Sequence, residues 1–278
     1  MRLGAPLFGV ARDDPAAWMR ALAQKGYRAT YCALPLDAND ALCAAWERAA
    51  QASGVVTAEV GAWCNPLAAD AAERSQAMEK CRQALALADR VGARCCVNIS
   101  GSRGKVWMGP HPLNLTDETF DLIVASVRSI IDAVKPTRTC YTLETMQWMY
   151  PDSTDSYLRL LQAIDRPAFA VHFDPANLIV SPRTFYAIGD ILRDFVQRLG
   201  PRIRSCHAKD VRILDGLAVH FTEVRPGTGG LDYRTYLGAL QGLDPDLPLM
   251  IEHLPDEAEY DLAAAHIRAV AAGLGATV

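Results

Sequence analysis

The sequence predicts a single-domain α/β protein spanning residues 1–278, built as a (β/α)8 barrel. Three observations predict it. The chain has 278 residues and is 50% hydrophobic, enough to bury the core of one such barrel. Eight short apolar runs alternate with eight helical patterns, as a parallel sheet covered on both faces requires. Four of the later runs end in Glu144, Asp174, His207 and Glu252. A closed parallel barrel presents the carboxyl ends of its strands to one shared face.

The strand candidates are Leu3–Gly9, Ala29–Ala33, Val55–Ala62, Arg94–Ser100, Thr139–Thr145, Ala168–Asp174, Ile203–His207 and Leu247–Glu252. Helices fill the gaps. Asp13-Asp14-Pro15 supplies a cap and a first-turn proline, and Gly26 marks the stop. Ala38–Ser53 ends at Gly54, and Ala68–Val91 ends at Gly92. Asp117–Val134 stops before Pro136, and Ser153–Ile164 before Pro167. Thr184–Leu199 runs to Gly200 as one helix, and Tyr233–Gln241 runs to Gly242. Glu257–Ala272 places Tyr260, Ala263, Ala264, Ile267 and Val270 on one stripe.

Two connections are long. Gly101 to Thr116 holds Arg103, Lys105, Trp107 and His111. Val211 to Gly230 opens as a hairpin, Val211–Leu214 and Leu217–Phe221 about an Asp215-Gly216 turn, and closes in the glycine-rich Gly227–Gly230. Both fall on the carboxyl side of the barrel, where binding loops sit.

Net charge is −4 with no long basic run, which argues against nucleic acid as a partner. No apolar stretch reaches the roughly 20 residues of a membrane span, and no secretory signal is visible at Met1–Val10. The eight cysteines form no C-x-x-C pair and read as reduced, mostly buried thiols of a cytoplasmic protein. The oligomeric state is left open, a homo-oligomer included.

Three carboxylates and an imidazole at one barrel mouth suit a divalent cation: Mn²⁺ first, with Mg²⁺, Co²⁺ or Zn²⁺ as alternatives. Period two places His172 on the side of Asp174, one layer deeper, either as a core histidine or as a substrate contact. Lys209 faces the mouth, to bind an anionic group or to pair with a carboxylate. Asp210 is expected to anchor the following loop. His253 is expected to point away, into the layer between barrel and helices. Trp63, Trp107, Trp148 and Tyr150 follow strand ends and are candidates to wall a pocket, or ordinary packing.

Leu143-Glu144-Thr145, Phe173-Asp174-Pro175-Ala176-Asn177-Leu178, Cys206-His207-Ala208-Lys209-Asp210, Gly227-Thr228-Gly229-Gly230-Leu231-Asp232-Tyr233 and Ile251-Glu252-His253 together resemble the sugar isomerase/epimerase superfamily, the barrels related to xylose isomerase and endonuclease IV. The resemblance covers nearly the whole chain. It implies that Glu144, Asp174, His207 and Glu252 hold one metal ion, and that Glu144 and Glu252 also act as acid and base. It places Arg225 in a loop that contacts substrate. Asn177 stands where the ketose 3-epimerases have a second His, and Tyr150 where they have a further Glu, so the substrate contacts differ. The expected reaction is isomerisation or epimerisation of a small ketose, sugar phosphate or sugar-acid-like carbonyl compound through a metal-stabilised enediolate. A lyase acting by dehydration or decarboxylation is the alternative. An endonuclease IV-like enzyme is a remote alternative: that resemblance implies a three-zinc cluster with several additional histidines, and too few of the six here fall at strand ends. A non-catalytic barrel is a further reading.

Overall fold

The first helix shows how local sequence sets each unit. In the computed structural model, which describes all 278 residues, α1 (Pro15–Lys25) opens where the Asp14 side chain accepts from the Ala17 N–H. It closes at Gly26 in the left-handed conformation. The other helices are α2 (Asp40–Ala52), α3 (Ala71–Val91), α4 (Asp117–Val134), α5 (Thr154–Ile164), α6 (Pro182–Tyr186), α7 (Ile188–Leu199), α8 (Tyr233–Leu240) and α9 (Glu257–Gly273). The expected Thr184–Leu199 helix is two. Ser181 caps a separate short turn with Pro182 in its first position, and Ala187 leaves helical geometry between the two.

Eight parallel strands close a barrel: β1 (Arg2–Gly4), β2 (Ala29–Tyr31), β3 (Val56–Gly61), β4 (Cys95–Asn98), β5 (Tyr141–Glu144), β6 (Phe169–Phe173), β7 (Ile203–Ala208) and, after a hairpin, β10 (Pro248–Ile251). The protein is thus a TIM barrel. The first strand is shorter than the expected Leu3–Gly9, because it pairs only over Arg2 to Gly4. The hairpin is β8 (Asp210–Leu214) against β9 (His220–Val224), antiparallel, with Leu214 opposite His220. Five residues, 215–219, therefore connect the strands, and Asp215-Gly216 is not a two-residue turn.

Buried tyrosines fix the strands that carry the site. From α5, the Tyr157 hydroxyl donates to the Leu143 and Ala170 carbonyls at 2.6 and 3.1 Å and accepts from the His172 N–H at 3.0 Å. From α8, Tyr236 donates to the His207 carbonyl at 2.9 Å and Tyr233 to the Lys209 carbonyl at 2.7 Å. Each hydroxyl satisfies backbone groups that barrel pairing leaves over. The loop after β9 is tied down by Asp210, which is 1% exposed. Its carboxylate accepts from the N–H groups of Val211, Gly227, Gly229 and Leu231. A Cβ on Gly229 would sit 2.3 Å from the Asp210 carboxylate, so only glycine lets the loop close this tightly.

Candidate metal centre and active site

In barrel order β10, β7, β6 and β5 are successive neighbours. Their carboxyl ends set Glu252, His207, Asp174 and Glu144 in one row. The potential ligand atoms of these four side chains all lie within 4.8 Å of one another. His207 Nδ1 is 2.8 Å from Glu252 Oε1, 3.0 Å from Glu144 Oε1 and 3.5 Å from Asp174 Oδ2. Neighbouring donors around one divalent ion with bonds of about 2.0–2.6 Å stand at such separations. The donor set and its spacing therefore fit a divalent cation.

Local structure holds each donor. Asp174 is clamped to Thr145: its N–H donates to Thr145 Oγ1 at 3.0 Å, and that hydroxyl donates to the Asp174 carbonyl at 2.7 Å. Asp174 Oδ1 accepts from Ala176 N–H at 3.0 Å, which leaves Oδ2 for the centre. Asn177 Nδ2 lies 3.2 Å from both Glu144 Oε1 and Asp174 Oδ2. It ties two donors together, and it also borders the cleft above them.

Lys209 reaches into the row. Its Nζ is 2.6 Å from Glu252 Oε1, 2.7 Å from Asp174 Oδ2 and 3.5 Å from Glu144 Oε1. Burial disfavours its charge, but Asp174, Glu144 and Glu252 outweigh burial and hold the ammonium pKa well above the ordinary value. Burial also disfavours the Asp174 and Glu252 carboxylates. Lys209 and His207 reverse this, taking Asp174 well below its usual range and Glu252 down to about 2. At Glu144 burial wins over the same cations and the pKa rises. The ammonium and a divalent ion draw on the same carboxylate oxygens. Lys209→Met should therefore tighten Mn²⁺ binding by at least about tenfold, a modest part of the repulsion between cations a few ångströms apart. Calorimetric titration of both proteins checks this, and equal or weaker affinity in the variant removes Lys209 as a competitor.

Beneath the row lies a group the sequence reading passed over. Glu59 of β3 is 1% exposed and crosses the barrel interior. Its Oε1 is 2.9 Å from His172 Nε2 and accepts from the Ser205 hydroxyl, and its Oε2 is 3.4 Å from His207 Nε2. Burial alone would raise the Glu59 pKa, but His172 and His207 bring it well below the usual carboxylate range. With Nε2 facing Glu59, His207 presents Nδ1 to the centre, as carboxylate–histidine–metal arrangements do. Glu59, His172 and His207 form a second cluster with metal-ligand spacing. The sequence signal was there: a lone carboxylate within the apolar run Val55–Ala62.

Other expected residues lie elsewhere. Arg225 pairs with Glu259 at 2.9 Å and does not border the cleft. Tyr150 is buried, with its hydroxyl on the Leu115 carbonyl and its ring edge-on to Phe120. It packs the long loop and leaves the mouth. His172 is fully buried below His207, with ring centroids 4.2 Å apart, out of a substrate's reach. His253 does not enter the layer between barrel and helices. A φ of 60° swings it to the cleft rim, where Nδ1 is 2.8 Å from Glu223 Oε2.

The cleft above the row has a volume of about 570 Å³, and Glu144, Glu252, Lys209 and Asn177 border it. Organised metal-ligand clusters at the catalytic end of a TIM barrel make this the active site of a metal-dependent enzyme. Residues 14–270 match the model of the xylose isomerase-like TIM barrel family, and the chain belongs to that family. No curated protein matches it in sequence. Among solved structures it is similar to a 3-keto-D-glucoside 4-epimerase from E. coli, with TM-score 0.66, 13% identity and coverage of 97% of this chain and 99% of that one. A probable 3-DHS dehydratase from Bacillus anthracis gives TM-score 0.70, 16% identity and coverage of 97% and 98%. Endonuclease IV from Thermus thermophilus gives TM-score 0.71, 14% identity and coverage of 99% of both chains. An epimerase, a dehydratase and a nuclease fit about equally well, so these likenesses carry the fold and the site must carry the reaction. No helix is long and apolar enough to cross a membrane.

Proposed function

We propose that the protein is a divalent-metal-dependent isomerase or epimerase of a small polyhydroxylated carbonyl compound. One observation carries the reading. Glu144 and Glu252 stand at the two ends of the donor row and border the cleft, whereas Asp174 and His207 between them are fully buried and do not. The inner pair is placed to hold a cation, and the outer pair to hold it and also meet substrate.

A bound divalent ion would act as a Lewis acid on a carbonyl and its neighbouring hydroxyl oxygen, lowering the cost of removing the proton between them. One outer carboxylate takes that proton from the carbon beside the carbonyl. The other, across the planar carbon framework, returns a proton to the second face or to the next carbon. Asn177 keeps Glu144 and Asp174 in place, and Lys209 offsets the carboxylate charge.

A lyase is the second reading, because the same proton removal allows a β-hydroxyl to depart. It needs an acid for the leaving oxygen. Lys209 is the one ammonium bordering the cleft, and it is already engaged by Glu252 and Asp174 at 2.6 and 2.7 Å, so isomerisation leads. The nuclease reading finds a single imidazole in the four-donor row.

Incubation of Mn²⁺-loaded protein with hydroxy-ketones in deuterated water tests the proposal. Deuterium should appear on the carbon beside the carbonyl with no loss of mass from the carbon skeleton. Release of water or CO₂ assigns the lyase instead, and cleavage of abasic DNA without deuterium uptake overturns both.

A further inference from the structure

The cleft changes character from floor to rim. Its floor is polar, formed by Glu144, Glu252, Lys209 and Asn177. Ile99 and Met146, both nearly inaccessible, wall its middle. Its rim carries Trp63, Trp107 and Trp148, exposed by 37, 36 and 37%, with Met108 beside them.

Two of these rings, those of Trp148 and Trp63, are held in place. Trp148 Nε1 donates to the Met108 carbonyl at 2.7 Å, which joins the β5 mouth to the long 101–116 loop. Lys80 Nζ donates to the Trp63 carbonyl at 3.2 Å. The Trp63 indole lies over Gly61, where an added Cβ would come within 2.1 Å of it. Fixed apolar walls left open to water mark a surface kept for a ligand.

The outer polar groups are largely committed. Glu223 and His253 pair with each other, and Gln147 Nε2 donates to Asn177 Oδ1 at 3.0 Å. Gln147 Oε1 is buried without a partner. A bare sugar can stack one face on one indole. Enclosed by three, its remaining hydroxyls would lose water and find no partners. Of the residues that line the cleft, the cationic ones are Lys209, held by the floor carboxylates, and His253, paired with Glu223, so neither is free for a phosphate or carboxylate at the outer end. A volume of about 570 Å³ falls within the roughly 300–1,000 Å³ of sites for drug-sized ligands.

We infer that the substrate is a hydroxy-ketone carrying an uncharged, flat apolar substituent, an aromatic aglycone in chemical class, which the Trp63, Trp107 and Trp148 rim receives. The inference rests on the function proposed above, because it places the reacting hydroxy-ketone at the floor. Flat rings gain from indole faces beyond the area they bury.

Phenyl and methyl 3-oxo-glucosides share one hydroxy-ketone and differ only in the substituent. The protein is titrated first with Mn²⁺, then with each glycoside, and read by calorimetry and indole fluorescence. The phenyl compound should bind at least tenfold more tightly than the methyl compound. Trp107→Ala and Trp148→Ala should each reduce that preference below threefold while Mn²⁺ affinity stays unchanged. A preference below threefold in the unchanged protein, a preference that survives both substitutions, or binding of neither glycoside to Mn²⁺-loaded protein overturns the substrate class and leaves the proposed reaction standing. Failure to bind Mn²⁺ overturns both.

Discussion

Asp174→Ala and His207→Ala should each abolish turnover by removing the metal. Both side chains are fully buried in the middle of the donor row. A missing outer partner of a metal ligand typically weakens affinity by about 10- to 100-fold, so loss of a donor itself should weaken Mn²⁺ binding by at least about 100-fold. Glu144→Gln and Glu252→Gln form the contrast. Glutamine keeps an oxygen donor and removes the base, so turnover should fall by about 10²–10⁴ while metal is retained. Metal content by elemental analysis, set beside turnover for all four variants, decides the matter. If activity follows metal content alone throughout, the two glutamates hold the ion and move no proton. If a glutamine variant keeps full metal and full activity, another group moves the proton, and Lys209 becomes the first candidate.

The fold was legible because each unit announced itself locally. Apolar runs, capping residues such as Asp14 and stops such as Gly26 repeat along the chain, and short-range chemistry sets them. The donor row was legible for a related reason: in a parallel barrel a residue's place at a strand end fixes which face it joins. What failed were judgements that needed backbone angles or distant partners. His253 was expected to point away from the mouth, into the layer between barrel and helices, but a positive φ after Glu252 broke the period. Tyr150 follows a strand end, yet the Leu115 carbonyl and the Phe120 ring draw it into packing. Arg225 sits in the right loop, and Glu259 of α9 takes its guanidinium. Glu59 was missed because its partners, His172, Ser205 and His207, lie more than a hundred residues away across the barrel. Nothing near it in sequence reports that meeting.

Glu59 yields the second large effect. Its carboxylate receives three groups with almost no access to water: His172 Nε2, the Ser205 hydroxyl and His207 Nε2. Glu59→Ala leaves all three without that partner. Breaking a buried charged pair costs about 3–5 kcal/mol. At roughly 2–4 °C per kcal/mol for a chain of this order of size, the thermal midpoint should fall by roughly 6–20 °C. That result alone would not separate support of the barrel from support of His207. Glu59→Gln does. It keeps the volume and one acceptor oxygen, but its NH₂ cannot accept a second N–H, so His172 and His207 cannot both be satisfied. The His207 ring then loses the bond that holds Nε2 down and Nδ1 up. Mn²⁺ affinity should fall by about 10- to 100-fold, with a smaller loss of thermal stability than in Glu59→Ala. Calorimetric titration with Mn²⁺ beside thermal unfolding of the same preparations reads both quantities. If Glu59→Gln binds Mn²⁺ as tightly as the unchanged protein, His207 is held by its strand alone. Glu59 would then be the buried partner of His172 and Ser205, with no part in aiming the metal-facing nitrogen.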